Sequence, residues 1–328
     1  MKIYEIEIKA KSAFAAPLKG DALFGALCWQ IQNMGLDLSV FLKDYDNNPF
    51  MIISSGFYKK DKNYYFDKPL APNFMLFGES DVNDRKKNDN KKYFSYLGGS
   101  LIADELNYIE GLDNDERRAN DYLPLQNTES FIVFADAVHA AINRNTTSQD
   151  EFAPYSTEVF FYTDKANIVI FAAIDENRLS KENLKLIFEN LGKAGFGKRA
   201  SIGYGQFEVL DCKESVLWNN NLEGNYLYAL SPFVLSETEK ENFNNMFFQP
   251  FTRYGKHGDT FAKSQNPFKK PVIMADNASL VNLKTDYNKT YPIIGSAIKG
   301  TSKIMPETVV QGYSLCLPIQ LEAEIEDK

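Results

Sequence analysis

Four glycines and two cations lie within the eleven residues Gly195-Phe196-Gly197-Lys198-Arg199-Ala200-Ser201-Ile202-Gly203-Tyr204-Gly205. Glycine lets a ligand approach the backbone closely, and runs of free amide N–H groups attract anions. A helix-like segment precedes this stretch and a strand-like segment follows it. Rossmann and P-loop sites need the reverse order, and no Gly-Lys-Ser/Thr closes this loop. The stretch therefore predicts a loop that lies along a polynucleotide, not a mononucleotide site.

The segments around this glycine loop have clear hydrophobic periods. Ser180 is predicted to cap a helix in which apolar residues recur at i, i+3, i+4 and i+7 from Leu184, and a strand is predicted over Gln206–Leu210. Near the N-terminus, strict alternation predicts a half-buried strand over Lys2–Lys11. Asp21 is then the predicted N-cap of a helix that ends near residue 34.

The remaining apolar segments predict an α+β fold with two domains. Strands are predicted at Phe50–Tyr58, Tyr64–Pro69, Phe131–Ala137, Val159–Tyr162, Ile168–Ile174, Tyr226–Leu230, Met246–Phe251, Pro271–Met274 and Ser314–Leu321. The first two-thirds then reads β-α-β-β-α-β, which is the order of a ferredoxin-like or RRM-like sheet. We predict one such domain over residues 1–215, and a second, irregular and strand-rich copy over residues 220–328.

An insertion over about residues 78–122 interrupts the first domain. Residues 79–92 (ESDVNDRKKNDNKK) are mostly charged and have almost no apolar side chain, so they predict a mobile loop. A short helix is predicted over Tyr96–Tyr108.

The charge of the chain is acidic overall and basic in two places. The net charge is −8, which argues against generic nucleic-acid binding by a basic domain. However, residues 253–270 carry five cations against Asp259, and residues 193–207 carry three cations and no acid. This distribution favours a local anion groove on a body that also meets other proteins.

Cysteine usage and hydropathy exclude several classes of protein. Cys28, Cys212 and Cys316 lie far apart, and no Cys/His spacing is typical of a zinc site, so we predict no metal and no cofactor. The sequence begins directly with a strand pattern and contains no apolar run of about 18 residues. We therefore predict a cytoplasmic protein that does not contact a membrane.

Three further motifs accompany the glycine loop, in a fixed order along the chain. They are residues 17–29 (PLKGDALFGALCW), residues 139–147 (HAAINRNTT), and residues 253–258 (RYGKHG) followed by residues 266–271 (NPFKKP). With a G-x-G-x5-G-x-G loop after a ferredoxin-like unit, the chain resembles the RAMP proteins of CRISPR systems. The set of motifs is similar to the fourth subunit of the type III-A (Csm) effector complex.

This resemblance implies a tandem RAMP fold and a non-catalytic, RNA-binding role. The family binds the 5′ repeat-derived tag of crRNA and joins the large polymerase-like subunit to the backbone filament subunit. On this basis and on residue chemistry, the candidate RNA-binding residues are Lys19, His139, Asn143, Arg144, Lys193, Gly195, Gly197, Lys198, Arg199, Ser201, Gly203, Gly205, Arg253, Tyr254, Lys256 and His257.

The chemistry of these residues supports RNA contact in different ways. Lys198 and Arg199 suit phosphate, and Lys19 precedes a helix N-terminus that favours an anion. Asn143 and Arg144 suit base edges or phosphate. The segment from Arg253 to His257 combines cations with an aromatic ring, as single-stranded RNA sites do. Taken alone, Lys198 or Arg199 is more often an ordinary solvated surface charge, and a basic hairpin turn explains any single residue from Arg253 to His257 equally well.

His139 leaves a second function open. A histidine near Arg144 could be the general base of a crRNA-processing RAMP endoribonuclease. Cleavage also needs an acid for the leaving group, and no second histidine lies nearby in the sequence. The glycine loop lies near the end of the chain in the processing nucleases, whereas here more than a third of the chain follows Gly205. The non-catalytic role is therefore favoured. A pure protein–protein scaffold is a third possibility, and it would need no phosphate contacts.

Overall fold

The computed structural model describes residues 1–77, 82–89, 91–96, 107–110, 130–139, 155–218, 224–283 and 293–321. The helices are α1 (Gly20–Asn33), α2 (Leu38–Leu42), α3 (Asn73–Phe77), α4 (Val82–Asp89), α5 (Lys181–Ala194) and α6 (Glu237–Lys240). Short 3-10 turns occupy Ala200–Ile202 and Asp259–Lys263.

The strands fall into two halves of the chain. The first half contains β1 (Lys2–Ala10), β2 (Met51–Lys60), β3 (Asn63–Asp67), β4 (Lys91–Tyr96), β5 (Asn107–Glu110), β6 (Ile132–His139), β7 (Tyr155–Tyr162), β8 (Asn167–Ile174) and β9 (Phe207–Glu214). The second contains β10 (Tyr226–Ala229), β11 (Phe243–Phe247), β12 (Pro250–Arg253), β13 (Val272–Ala275), β14 (Leu280–Leu283), β15 (Ile293–Gly295) and β16 (Tyr313–Ile319).

Two antiparallel sheets form the body of this mixed α/β fold. The larger has the order β5-β4-β3-β2-β8-β1-β9, and the smaller has the order β11-β14-β10-β16-β15. β6 pairs with β7 and β12 with β13 in two-stranded ribbons. In the larger sheet, α1 connects β1 to β2 and α5 connects β8 to β9. Four strands have the same arrangement in both sheets, namely β2-β8-β1-β9 in the larger and β11-β14-β10-β16 in the smaller. When each set of four is taken in chain order, its first strand lies between its third and its fourth.

α5 confirms the most strongly periodic prediction. Ser180 is its N-cap, and the Ser180 Oγ accepts a hydrogen bond from the Asn183 backbone N–H at 3.2 Å. The predicted apolar stripe from Leu184 to Leu191 is buried. Because α5 ends at Ala194, it leads the chain directly into the glycine loop.

The prediction of a half-buried β1 holds at Lys9, which is exposed, but it is wrong at Glu5, where both faces of the strand are covered. Glu5 is only 1% exposed. Its carboxylate accepts hydrogen bonds from Lys59 Nζ at 2.7 Å and from Tyr64 Oη at 2.5 Å. A buried carboxylate is tolerated only when it is paired in this way. The alternation in the sequence marked a paired charge inside the protein and not a solvated face.

The second sheet supplies the cover over this face. Phe171 lies opposite Glu5 in β8, and its ring is 5.3 Å from that of Trp218. Trp218 in turn donates from Nε1 to the Cys316 carbonyl of β16 at 3.0 Å. One continuous core therefore includes side chains of both sheets.

The start of α1 differs from the prediction by two residues. The N-cap is Lys19, with no side-chain capping bond, and Asp21 lies within the first turn. The Asp21 side chain is buried against Arg253 of β12 instead of capping the helix.

The insertion is more regular than predicted. Residues 82–89 form α4 and not a loop, and Lys68 Nζ donates to the Asn88 carbonyl at 3.0 Å, which ties this helix to the body. The predicted helix over Tyr96–Tyr108 is wrong at both ends, because Tyr96 ends β4 and Asn107 begins β5. Phe94 of β4 is buried, which explains why this segment pairs with β3. The rest of the insertion lies outside the described residues.

Candidate nucleic-acid interface

The glycine loop is a closed turn held by its own backbone. The Phe196 N–H donates to the Gly205 carbonyl at 2.9 Å, and the Gly205 N–H donates to the Ala13 carbonyl at 2.8 Å. Gly205 has φ +72°, and a Cβ there would lie 2.1 Å from the Phe196 carbonyl oxygen. Only glycine suits this position, since the left-handed region disfavours a side chain and the close approach of the Phe196 carbonyl excludes one.

The tip of the loop is the part that faces solvent. Lys198, Ser201 and Gly203 are exposed, as is the side chain of Ile202. Lys193, at the end of α5, is also exposed. The structure therefore places several of the predicted contact residues where a polynucleotide can reach them.

A short segment after β1 joins the loop to the β6–β7 hairpin. Ala13 accepts the hydrogen bond from Gly205, as described above, and the next residue, Phe14, pairs with Phe160 of β7 through two backbone bonds of 2.8 and 2.9 Å. The Phe14 ring also meets that of Tyr162 edge-on at 5.1 Å. The hairpin and the loop are thus fixed relative to one another by residues 13–14.

Arg199 links the loop to the hairpin through its side chain. Nη1 lies 2.8 Å from His139 Nε2, and Nη2 donates to Thr157 Oγ1 at 2.7 Å. The guanidinium carbon lies 5.7 Å from the centre of the Tyr155 ring. Arg199 adopts φ +68°, ψ +16°, a left-handed conformation that costs a non-glycine residue about 1 kcal/mol. These contacts offset that cost and hold the guanidinium in one orientation.

The contact with Arg199 fixes the chemical state of the His139 ring. A guanidinium has no acceptor, so in this pair His139 Nε2 accepts the hydrogen bond. A neutral ring then carries its proton on Nδ1. The His139 ring also lies 5.3 Å from the Tyr155 ring, tilted by 30°. In this geometry neither ring nitrogen offers a free lone pair to a 2′-hydroxyl.

The other predicted RNA-binding residues lie away from the glycine loop or outside the described residues. Asn143 and Arg144 are not among the described residues. Lys19 forms a bidentate ion pair with Asp276, and its Nζ lies 4.9 Å from the centre of the Phe251 ring.

Residues 250–257 and 267–275, here called the ribbon, contain the last group of predicted residues. Arg253 donates to the Asp21 carboxylate from Nε at 2.5 Å and from Nη2 at 2.8 Å. Tyr254 and Lys256 are exposed. Lys256 lies opposite Phe268 in an isolated antiparallel bridge, in which the His257 N–H donates to the Pro267 carbonyl and the Lys269 N–H donates to the Gly255 carbonyl, each at 2.8 Å. This bridge extends the ribbon beyond β12 and β13.

His257, in contrast, is buried within the ribbon. It is 4% exposed, and its Nε2 lies 2.8 Å from Ser302 Oγ. The Ser302 Oγ already accepts from the Ile304 N–H at 3.3 Å and from the Met305 N–H at 3.0 Å, which leaves the hydroxyl proton for His257 Nε2. Burial, and secondarily the charge of Lys269, lower the pKa of His257 below its ordinary value. The geometry gives His257 a structural partner inside the chain.

Comparison of the sequence with protein-family models and with curated proteins gives no match. Comparison of the structure with solved structures gives matches. The chain is similar to a chain in the crystal structure of the Csm1-Csm4 cassette in complex with cA4, with TM-score 0.61, 15% identity, and coverage of 99% of this chain and 100% of that chain. It is similar also to a chain in the Csm3-Csm4 subcomplex of the type III-A CRISPR-Cas interference complex, with TM-score 0.57, 16% identity, and coverage of 97% and 99%.

The fold is that of Csm4. The likeness to these chains spans nearly the whole of both molecules.

Sequence reasoning missed two residues of the surface around Arg199. Tyr155 and Thr157 both contact the Arg199 guanidinium from β7. Their signal was available, because strand alternation places Tyr155 and Thr157 on one face of β7, and on that face Tyr155 lies opposite His139 and Thr157 lies opposite Ala137. The prediction of β7 began only at Val159, and so it left this end of the hairpin out.

Two further observations concern chemistry other than RNA binding. Among the described residues, no group of three or more His, Cys, Asp or Glu side chains is arranged to hold a metal ion. No helix in the described part of the chain is long and apolar enough to cross a membrane.

Proposed function

We propose that this chain is the RNA-binding, non-catalytic fourth subunit of a type III-A CRISPR ribonucleoprotein in the cytoplasm. The observation that carries the proposal is the joint surface of the glycine loop and the β6–β7 hairpin. There the Arg199 guanidinium is fixed against His139, with Tyr155 beside it and the exposed Lys198 next to it. Oriented cations, an accessible aromatic ring and glycine-rich backbone are what single-stranded RNA binding requires.

The RNA bound at this surface is inferred to be the 5′ repeat-derived tag of crRNA. The structures with the same fold are of a Csm1-Csm4 cassette and a Csm3-Csm4 subcomplex. By analogy, we infer that this chain joins a large polymerase-like subunit to a backbone filament subunit. The likeness in fold supports the proposed partner subunits, whereas the residues of the surface support RNA binding.

We further infer a tandem ferredoxin-like (RAMP) architecture, with domains at residues 1–215 and 220–328. The identical arrangement of β2-β8-β1-β9 and β11-β14-β10-β16 supports this inference. The ferredoxin-like order β-α-β-β-α-β fits the first half, where α1 and α5 occupy the two connections. In the second half, α6 occupies the first connection as a remnant of one turn.

The proposal of a non-catalytic role rests on His139. A general base must present a free lone pair to the proton that it removes. His139 Nε2 is engaged with Arg199 Nη1, so cleavage would first require this contact to break. The role of RNA-contacting residue needs no such rearrangement, and it is therefore preferred over the processing endoribonuclease.

The experiment that tests the proposal is reconstitution with a defined RNA. The tagged full chain is incubated with mature crRNA and with precursor RNA, and both binding and cleavage are measured. We expect binding of the tagged crRNA and an intact precursor. Loss of two phosphate contacts in Lys198→Ala with Arg199→Ala should reduce the salt slope of binding by about two units.

A charge-matched control separates these contacts from general electrostatics. Lys62→Ala with Lys185→Ala removes the same charge from the β2–β3 turn and from the outer face of α5, and both lysines are exposed. This control variant should keep the wild-type salt slope. Equal weakening in both double variants would contradict the proposed site, and metal-independent cleavage that His139→Ala abolishes would overturn the non-catalytic assignment.

A further inference from the structure

The ribbon has an inner face that is fixed to α1. On this face Arg253 pairs with Asp21 near the start of the helix. Farther along, the ring of Phe261, in the connection between the two ribbon strands, lies 5.8 Å from that of Trp29 in α1. The inner face therefore has its partner within the chain.

The outer face of the ribbon is apolar and has no cover among the described residues. Tyr254 is 77% exposed, Phe268 is 67% exposed and Ile273 is 71% exposed. Thr252 lies opposite Ile273 in the register of β12 and β13, so this pair shares one face of the ribbon. Two positions on from Thr252, Tyr254 continues that face in the period of a strand. Large apolar side chains exposed together in this way mark an interaction surface.

Cations border the apolar side chains of this outer face. Lys256 Nζ lies 5.6 Å from the centre of the Phe268 ring, and Lys270 is exposed two positions farther along. The Lys270 N–H bonds to the Thr301 carbonyl at 2.7 Å, which brings the exposed Lys303 into the same region. A partner that covers the apolar centre would meet positive charge at its edge.

These observations favour a protein partner over RNA. Two of the cations that could have met phosphate, Arg253 and Lys19, are already paired with carboxylates of this chain. The aliphatic Ile273 offers nothing to a base, whereas it suits the dry centre of a protein interface. Tyr254 and Phe268 are the residue types that dominate such centres.

The area of the patch fits part of a specific interface. The exposed fractions of Tyr254, Phe268 and Ile273 correspond to roughly 400 Å² of side-chain surface. A standard interface buries about 800 Å² on each partner. The three side chains could therefore form the centre of one such interface, with the lysines at its rim.

We propose that the outer face of the ribbon docks a protein subunit of the same ribonucleoprotein. The docking surface of that partner is apolar at its centre and acidic at its rim, which complements the lysines of the ribbon. This inference rests on the proposed function, because it assumes the two protein neighbours inferred there. It adds the surface and the chemistry of the partner.

The test measures binding of the full chain to each of two purified subunits, the large polymerase-like subunit and the filament subunit, and separately to crRNA. We expect Tyr254→Ser with Phe268→Ser to weaken binding of one of the two subunits at least tenfold and to leave crRNA affinity within twofold. Lys256→Glu with Lys270→Glu should weaken the same subunit, because the change reverses the charge at the rim.

Val40→Ser is the matched control, since Val40 is 62% exposed in α2, beyond the C-terminal end of α1. It should bind both subunits as the wild type does. Unchanged binding of both subunits by the ribbon variants would overturn the inference alone. Loss of crRNA affinity with unchanged protein binding would show instead that the ribbon binds RNA, and it would overturn the inference of a protein partner. A wild-type chain that binds neither subunit nor crRNA would overturn the proposed function together with this inference.

Discussion

Arg199 Nη1 donates to His139 Nε2 across 2.8 Å, although 60 positions separate the two residues in the chain. The bond crosses from the glycine loop to the β6–β7 hairpin and joins two motifs that the sequence shows only as separate patterns. Its direction matters, because it makes His139 an acceptor that positions the guanidinium. The surface proposed to hold RNA is therefore ordered before any RNA arrives.

Replacing His139 separates positioning from catalysis. Gln at 139 can accept the Arg199 N–H through its side-chain oxygen, whereas Leu cannot. We expect His139→Gln to keep crRNA affinity within about twofold and His139→Leu to lower it roughly ten- to a hundredfold, as for the loss of one hydrogen bond to a charged group. Fluorescence anisotropy with labelled crRNA measures both. Equal affinities for the Gln and Leu variants would contradict the positioning role.

The glycine loop offers a stability test with an internal control. Gly205→Ala places a Cβ 2.1 Å from the Phe196 carbonyl oxygen and at φ +72°. We expect its free energy of unfolding to fall by more than about 2 kcal/mol, because the backbone must shift. Gly203→Ala meets no atom within 4 Å at φ +94°, so only the conformational cost of about 1 kcal/mol remains. Urea denaturation of both variants measures this difference, and similar losses would show that crowding at Gly205 is relieved elsewhere.

The pair of Arg253 and Asp21 is expected to stabilise the fold. Its loss in Arg253→Ala leaves the buried Asp21 carboxylate without its partner, and we expect a cost of about 2–3 kcal/mol, below the range for a fully buried pair because Arg253 is partly exposed. Asp21→Ala with Arg253→Ala should lose less than the sum of the single changes, with a coupling of about 1–2 kcal/mol. A double-mutant cycle by urea denaturation gives this value.

Additive losses in that cycle would mean that the ion pair is not a stabilising contact. The same Arg253→Ala protein also tests the prediction from sequence that Arg253 contacts RNA. In the absence of urea, we expect the crRNA affinity of this variant to match that of the wild type. A clear loss of affinity with unchanged stability would return Arg253 to the RNA-binding set.

His257 predicts a dependence of stability on pH. Its pKa in the folded chain is lowered by burial and then by Lys269, from an ordinary value of 6.5. The unfolded chain therefore binds more protons as pH falls through 6.5, and the free energy of unfolding decreases in that direction. We expect wild-type stability to fall from pH 7.5 to pH 6, and His257→Gln to flatten this slope.

The comparison with His257→Gln is necessary because Asp67 acts in the opposite sense. Burial raises the pKa of Asp67 to about 6, so its contribution to stability is present at low pH and is lost as pH rises toward 6. Subtracting the two pH profiles cancels this term. A wild-type slope that His257→Gln leaves unchanged would assign the effect to another group.

Local patterns predicted much of the fold. The periodicity of α5, its Ser180 cap and the glycines at its end identified the helix and the loop, because each depends on neighbouring residues alone. The single predicted strand over Met246–Phe251 is in fact parts of β11 and β12, which belong to different sheets. Periodicity cannot separate two strands joined by a short irregular step.

Contacts distant in sequence account for what was missed. Glu5 resembles a solvated residue until Lys59 and Tyr64 are placed beside it. Likewise, Asp21 resembles a helix cap until Arg253 is brought to it from the second half of the chain. The charged pattern of residues 82–89 suggested a loop, and only the hydrogen bond from Lys68 to the Asn88 carbonyl explains its attachment to the body. Pairing partners of this kind are set by topology and not by local spacing.

Gln311 seals the bulge of β2, where its side chain accepts from the Ile53 N–H at 2.8 Å and donates to the Ile53 carbonyl at 2.7 Å. The two residues are 258 positions apart. During synthesis, the Ile53 peptide groups in the central strand of the first sheet therefore lack these partners until residue 311 has left the ribosome. Contacts of such long sequence separation form slowly. The first sheet should accordingly reach its final structure only after the second half of the chain has been made.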